Sequence, residues 1–321
     1  MIKKFAAAFV VLFVFGYFAL KYYVSYSVAK GVDNVIESLA GVATIRYGSV
    51  SSTMAGRLTI DDLTVIPQGL NDPITIDGVG IKLPNFFELM KLKDMTARSL
   101  ATDGFPETFE VFINDARLNP DADYYAESMN PPIGVDIPVR EDDPIGHCLL
   151  QYGFTPAVMA ELGYDTVVLS MSYGFRQLAD SFMLNFNYDL QDMVRMNIDM
   201  ELQGRSKSIM QSANYRPMLV GATVEGNDLS LGSAMTRRCE DLGVTREDAW
   251  KAWLESTIAG LVAVGFVPDE RLTEQLTTMA TSQHGNFRVI ADPSTPLDFN
   301  RMQYYKPEDM PALFGVELES W

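Results

Sequence analysis

The sequence predicts an α+β protein: an apolar N-terminal transmembrane helix, then a β-rich domain of long, antiparallel, curved strands with a covering layer of helices. Three observations carry this expectation. Residues 167–203 alternate apolar and polar side chains over three successive stretches, which marks strands with one dry and one wet face. Residues 5–24 (FAAAFVVLFVFGYFALKYYV) are apolar apart from Lys21. Segments opening at Thr155, Thr245 and Pro268 carry helix-start signals and apolar residues at helical spacing.

Composition bounds the function. The 321 residues are 47% hydrophobic, enough for a large core in one large domain or two intimate ones, and the net charge is −17. Such a balance argues against nucleic acid, whose phosphates need stripes of Lys and Arg, and against docking on an anionic membrane through a basic patch. Cys148 and Cys239 are the only cysteines; they are too few for a metal cluster, and outside the cytoplasm a single disulfide is their natural reading. The absence of any Asn-x-Ser/Thr sequon favours a bacterial over a eukaryotic secretory setting.

Taken in order, the chain begins with its apolar run. About twenty residues at roughly 1.5 Å each cross the ~30 Å hydrocarbon core. Lys3 and Lys4 before the run keep the amino terminus cytoplasmic, and Lys21, Tyr22 and Tyr23 form the outer belt. The competing reading is a cleaved signal peptide with Ser27-Val28-Ala29 as its small-residue site. Val28, Val32, Val35, Ile36 and Leu39 then predict a short amphipathic helix stopping at Gly41.

An internal repeat follows. Residues 58–65 read LTIDDLTV and 74–81 read ITIDGVGI, sixteen apart; VFINDARL at 111–118 and VEGNDLSL at 224–231 are weaker copies. Each predicts a strand, a two-residue Asp/Asn/Gly step that suits a bulge, and a second strand in the opposite phase. Phe86, Phe87, Leu89, Met90 and Leu92 suggest a short helix, and residues 119–146, rich in Pro, Asp and Asn, a loop between subdomains.

The central meander is the clearest element. Val167, Leu169, Met171, Tyr173 and Phe175 share one face; Phe182, Leu184, Phe186, Tyr188 and Leu190 repeat it, as do Val194, Met196, Ile198, Met200 and Leu202. The short breaks between them predict antiparallel pairing. Cys148 and Cys239 each precede a Gly, a hydrophobe and a Thr placed as an N-cap. After Thr155 come Pro156 at the first helical position and a closing Gly163; after Thr245, Asp248 completes a capping box. The second helix runs through Trp250, Trp253, Leu254, Ile258, Leu261 and Val262; the next presents Leu272, Leu276 and Met279. Both are expected to lie over the apolar face of the sheet. Residues 287–291 predict one more strand, and Pro307 to Phe314 a last helical turn before Val316 and Leu318.

Chemistry is sparse. His147 and His284 are the only histidines, and surface or hydrogen-bonded core positions account for them better than a base or ligand does. Dinucleotide, P-loop, nucleophile-elbow and HExxH motifs are missing. Asp61, Asp62 and Asp77 have calcium-ligand chemistry, with strand-step turns as the other explanation. An enzyme is not expected, nor a cofactor or a metal.

The stretch Ile45-Arg46-Tyr47-Gly48-Ser49-Val50, followed by Gly56-Arg57-Leu58-Thr59-Ile60-Asp61-Asp62-Leu63-Thr64-Val65 behind an apolar anchor, resembles the opening of AsmA-like envelope proteins of the Gram-negative inner membrane. The resemblance covers about residues 1–83 and implies a periplasmic twisted β structure with an apolar channel, linked to lipid or outer-membrane homeostasis. The chain is shorter than the long members, and its two Cys-Gly-hydrophobe-Thr segments have no counterpart there. The expected organisation is an anchor at 1–26, a β-rich subdomain at 27–120, a boundary loop at 121–146, and a meander with helical layer at 147–321. The expected function is non-enzymatic lipid binding in an apolar β groove, with Leu169, Met171, Tyr173, Leu184, Phe186, Met196, Ile198 and Met200 as its lining. The alternative is a structural or assembly partner of an envelope complex, its core fully packed.

Overall fold

The computed structural model describes residues 29–34, 36–91, 106–119, 122, 143–148, 156–205, 216–281, 285–298, 301 and 304–321. The apolar stretch 5–24, Val28, Val35, Leu92, most of 119–146, Thr155 and His284 lie outside them.

Among the described residues twelve strands form one antiparallel sheet. They are β1 (Ala43–Arg46), β2 (Ser49–Ser52), β3 (Arg57–Pro67), β4 (Ile74–Lys82), β5 (Thr108–Leu118) and β6 (Val167–Gln177). The rest are β7 (Ser181–Leu190), β8 (Val194–Gln203), β9 (Met218–Asp228), β10 (Phe287–Ala291), β11 (Leu297–Asp298) and β12 (Val316–Ser320). Their order is β1-β3-β4-β5-β6-β7-β8-β9-β10-β12, with β2 beside β3 and β11 beside β9. The sheet runs uninterrupted from one side of residues 121–146 to the other, because β5 pairs directly with β6.

The expected meander is present as β6, β7 and β8, with Tyr173 opposite Phe186 and Phe186 opposite Ile198. Register defines two ends of the sheet. Leu118, Val167, Leu190, Val194 and Asp228 lie at the Val167 end; Thr108, Gln177, Ser181, Gln203 and Met218 lie at the Gln177 end.

The repeat is a coordinated change of phase. Leu58 and Ile60 pair with Ile81 and Val79, and beyond the step Leu63 and Val65 pair with Ile76 and Ile74. Strands β3 and β4 therefore shift their alternation by one residue at the same level, keeping their apolar side chains on one face and their register intact, so no bulge forms between them, contrary to the sequence expectation. β5 steps at that level too, remaining in register with β4. Its neighbour β6 does not step, and the mismatch is absorbed there in a bulge between Ile113 and Ala116. Asp62 and Asp115 take positive φ values of 56° and 48°, a conformation that short polar side chains tolerate. At the bulge the Asp115 amide donates to Ser170 Oγ (2.9 Å), and that hydroxyl donates back to Asp115 Oδ1 (2.9 Å).

The fourth copy is not such a unit. Asn227 and Asp228 end β9, and the next element is a helix beginning at Leu231. Both Asp228 carboxylate oxygens accept from the Gly232 amide (3.0 and 3.1 Å). An aspartate in front of free helical amides serves the helix start, and the same letters that make a step in a strand make an end here. A second register irregularity, at Glu201/Leu202 against β9, has no counterpart in the sequence reading.

Residues 29–34 and 36–39 are helical. From Phe86 onward the helices are α1 (Phe86–Lys91), α2 (Pro144–Cys148), α3 (Pro156–Glu161), α4 (Leu231–Asp241), α5 (Arg246–Ala263), α6 (Glu270–Thr281) and α7 (Met310–Phe314). Thr245 caps α5 as expected, its Oγ accepting from the Asp248 amide (3.2 Å) and donating to Asp248 Oδ2 (2.7 Å). Gly163, with φ of 87°, follows α3.

The helical layer lies over the apolar face of the sheet, but at its β10–β12 side and not over the meander. Helix α6 packs on β12 and α5 packs on α6. Their apolar residues (Trp253, Leu254, Ile258, Leu261, Leu272, Leu276) join Val289, Val316 and Leu318 in one cluster that holds no meander residue. Helical periodicity shows which side of a helix is apolar but not which part of the sheet receives it. Val262, assigned to that apolar stripe, is instead exposed.

Candidate apolar binding face

The site is built from the pleat. In an antiparallel pair, directly opposed residues point to the same face, so the pairing list writes out the rows. One row crosses the sheet as Leu58, Ile81, Val111, Tyr173, Phe186, Ile198, Val224, Val289 and Leu318. The row beside it runs Ile60, Val79, Ile113, Met171, Tyr188 and Met196.

Packing closes this face at its borders. At the Gln177 end Phe175, Phe182, Leu202, Leu219 and Leu297 are buried together, with Phe314 of α7 against them. Phe109 stacks on Phe175 (5.3 Å) and Phe175 on Phe182 (5.6 Å). At the Val167 end Met159, Val167 and Met193 are buried, joined by Leu190, Val194 and Leu231. Leu58, Leu83, Phe86 and Leu89 close the β3–β4 side, and the α5–α6 cluster closes the β10–β12 side.

The middle of the face is different. Tyr173 is 41% exposed and Val111 42%. Met171, Phe186, Met196, Ile198 and Val224 are half-buried and belong to none of the buried clusters. Burial pushes the Tyr173 phenol above its ordinary pKa, so even this partly exposed ring stands in apolar surroundings. The result is an apolar floor with packed borders, about 19 Å wide from β5 to β9 at ~4.8 Å per strand.

The structure brings all eight residues read from the sequence to this face, though not to one environment. Leu169, Met171, Tyr173, Phe186, Met196 and Ile198 line the floor, whereas Leu184 and Met200 pack against the buried cluster at the Gln177 end. Val111 and Val224 were missed as lining. Both stand in copies of the repeat, and only strand pairing shows that those copies flank the meander.

The opposite face is polar and largely paired. Asn187 donates to Ser172 Oγ (2.9 Å), Arg195 pairs with Asp189 (2.8 Å) and Arg288 with Glu225 (2.7 Å). The aspartates of the steps are engaged as well. Asp61 accepts from Ser49 and Ser51 (3.2 and 3.0 Å), and Asp77 grips Arg117 bidentately, which lowers the Asp77 pKa. No group of three or more His, Cys, Asp or Glu able to hold a metal occurs among the described residues.

Cys148 and Cys239 form a disulfide joining α2 to α4, with Cα atoms 4.8 Å apart. Both are buried with Val244 and Ala249. Beside them Arg238, 7% exposed, donates from Nε to Glu161 (2.8 Å) and from Nη1 to the His147 carbonyl. An apolar cavity of about 160 Å³ lies between α4 and α5, lined by Met235, Cys239, Val244, Trp250 and Trp253.

Neither a protein-family model nor a curated protein matches this chain.

Proposed function

We propose that this chain is a non-enzymatic, membrane-tethered protein of the bacterial envelope that holds lipid acyl chains on the apolar floor of its sheet, on the periplasmic side of the inner membrane. The observation that carries the reading is the half-open middle of the apolar face, bordered on four sides by packed clusters. Exposed apolar area of this extent marks a surface that meets something apolar. Each methylene leaving water for the floor contributes about 0.8 kcal/mol. A tether at residues 5–24 fits their length and apolarity; no helix among the described residues is long and apolar enough to cross a membrane. The similarity of residues 45–65 to AsmA-like openings supports the same address and lipid role.

The test is site-specific photocrosslinking of the full chain in cells. Probes at Tyr173, Phe186 and Ile198 should capture phospholipid, and probes at Ser172 and Asn187 on the other face should not. Equal capture on both faces, or none, rejects the lipid reading. Exclusive capture of protein at Tyr173 would favour the alternative, an assembly partner in an envelope complex.

A further inference from the structure

The turn between α5 and α6 is built to stand out of the protein. Residues 256–268 (STIAGLVAVGFVP) carry no charge. Gly265 takes φ of 81°, and the Phe266 amide donates back to the Leu261 carbonyl (2.9 Å), a glycine-ended helix stop. This geometry folds Phe266 and Leu261 into the α5–α6 cluster and turns the residues between them outward. Val262 is 48% exposed and Val264 75%. The Val267 amide donates to the Pro307 carbonyl (3.2 Å), which brings in the neighbouring segment, where Tyr304 is 78% exposed.

The position of this turn is defined by β12. Arg271, at the start of α6, donates to the Val316 carbonyl (2.7 Å). Val316 is opposite Ala291, itself opposite Ala222, which places the turn toward the Gln177 end of the sheet. The first described residues lie toward the same side. Val42 bonds to Gln68 at the Val167 end, yet the Tyr47 hydroxyl donates to Asp33 Oδ1 (2.7 Å). Tyr47 is roughly 13 Å up the strand from Ala43, so Asp33 reaches it only if the helical residues 29–34 and 36–39 double back along β1. The start of that segment is therefore directed to the Gln177 end.

We propose that the α5–α6 turn, with Val262, Val264 and Tyr304, inserts into the surface of a lipid bilayer and docks the Gln177 end of the sheet on it. The inference rests on the tether of the proposed function, since the described chain begins at residue 29 on this side and the apolar stretch 5–24 precedes it in sequence. An uncharged apolar tip beside a tyrosine suits the boundary between headgroups and acyl chains. It would hold the apolar floor close to its source of lipid.

The test uses the full chain, with its disulfide intact, in phosphatidylcholine vesicles. An environment-sensitive fluorophore is placed on Val264→Cys, or on Leu242→Cys as a control. Both sites are exposed, and they stand at opposite ends of α5, about 27 Å apart at 1.5 Å per residue. The Val264 label should emit to the blue of the Leu242 label and be quenched severalfold more by spin-labelled acyl chains. Equal quenching at the two sites overturns the proposal. So does a Val264 label shielded from both lipid quencher and aqueous iodide, which would mean that protein covers the tip. Lipid capture at Tyr173 with an unquenched tip would reject the docking and leave the lipid-binding reading standing; a quenched tip without capture would do the reverse.

Discussion

Replacing Cys148 and Cys239 with alanine tests the strongest covalent constraint in the described fold. The bond spans a sequence separation of 91 and encloses β6 to β9. In the chain-entropy treatment a loop of that length is worth about 4.6 kcal/mol at 25 °C, an upper figure if the unfolded chain retains structure. Both sulfurs are buried with Val244 and Ala249, so alanine also removes packing, and Arg238 beside them loses a rigid neighbour. Urea denaturation of the purified full chain reads the loss as a lower midpoint, with a steeper dependence on urea as the uncrosslinked chain exposes more surface. Because one bond is lost in every case, Cys148→Ala and Cys239→Ala should each cost nearly as much as the double variant. Single costs that simply add would show that packing, not the crosslink, carries the stability. Free thiols at both positions in exported protein would refute the reasoning outright.

Three further outcomes are expected. The raised Tyr173 phenol makes the folded chain hold a proton that the unfolded chain releases at about pH 10. Its contribution is intact below that pH and is lost as pH rises through the folded value. Absorbance titration should show late-ionising tyrosine, with Tyr47 in the same class through its bond to Asp33; Tyr173→Phe should reduce that class, and an unchanged curve would contradict an apolar floor. In β4, a Cβ at Gly80 would run into the Leu58 carbonyl and the Phe112 ring, so Gly80→Ala should lower the free energy of unfolding by about 1–3 kcal/mol through overpacking. Gly260→Ala in α5, where nothing lies within 4 Å, should instead raise it by up to ~1 kcal/mol through helix propensity.

The sequence by itself determined the local elements. Alternation over 167–203 specified β6, β7 and β8 because a period of two leaves a strand only one way to bury an apolar face. Thr245 and Asp248 specified the start of α5 because capping is a contact within four residues. The pairing of Cys148 with Cys239 was legible because only two cysteines exist. That eight apolar residues of the meander share one face was legible for the same reason as its strands.

Tertiary structure decided the rest. The repeat showed that strands change phase at Asp61-Asp62, Asp77-Gly78 and Asn114-Asp115. Only strand pairing shows that the three steps align across neighbouring strands and that a single bulge against β6 absorbs them. In the same way Val111 and Val224 join the floor through β5 and β9, which flank the meander in space and not in the periodicity of either segment. The destination of α5 and α6 was also beyond the sequence. A helix's apolar stripe states how much surface it must bury but not against which partner, and the choice of β10 and β12 over β6 to β8 is what leaves the middle of the sheet half open.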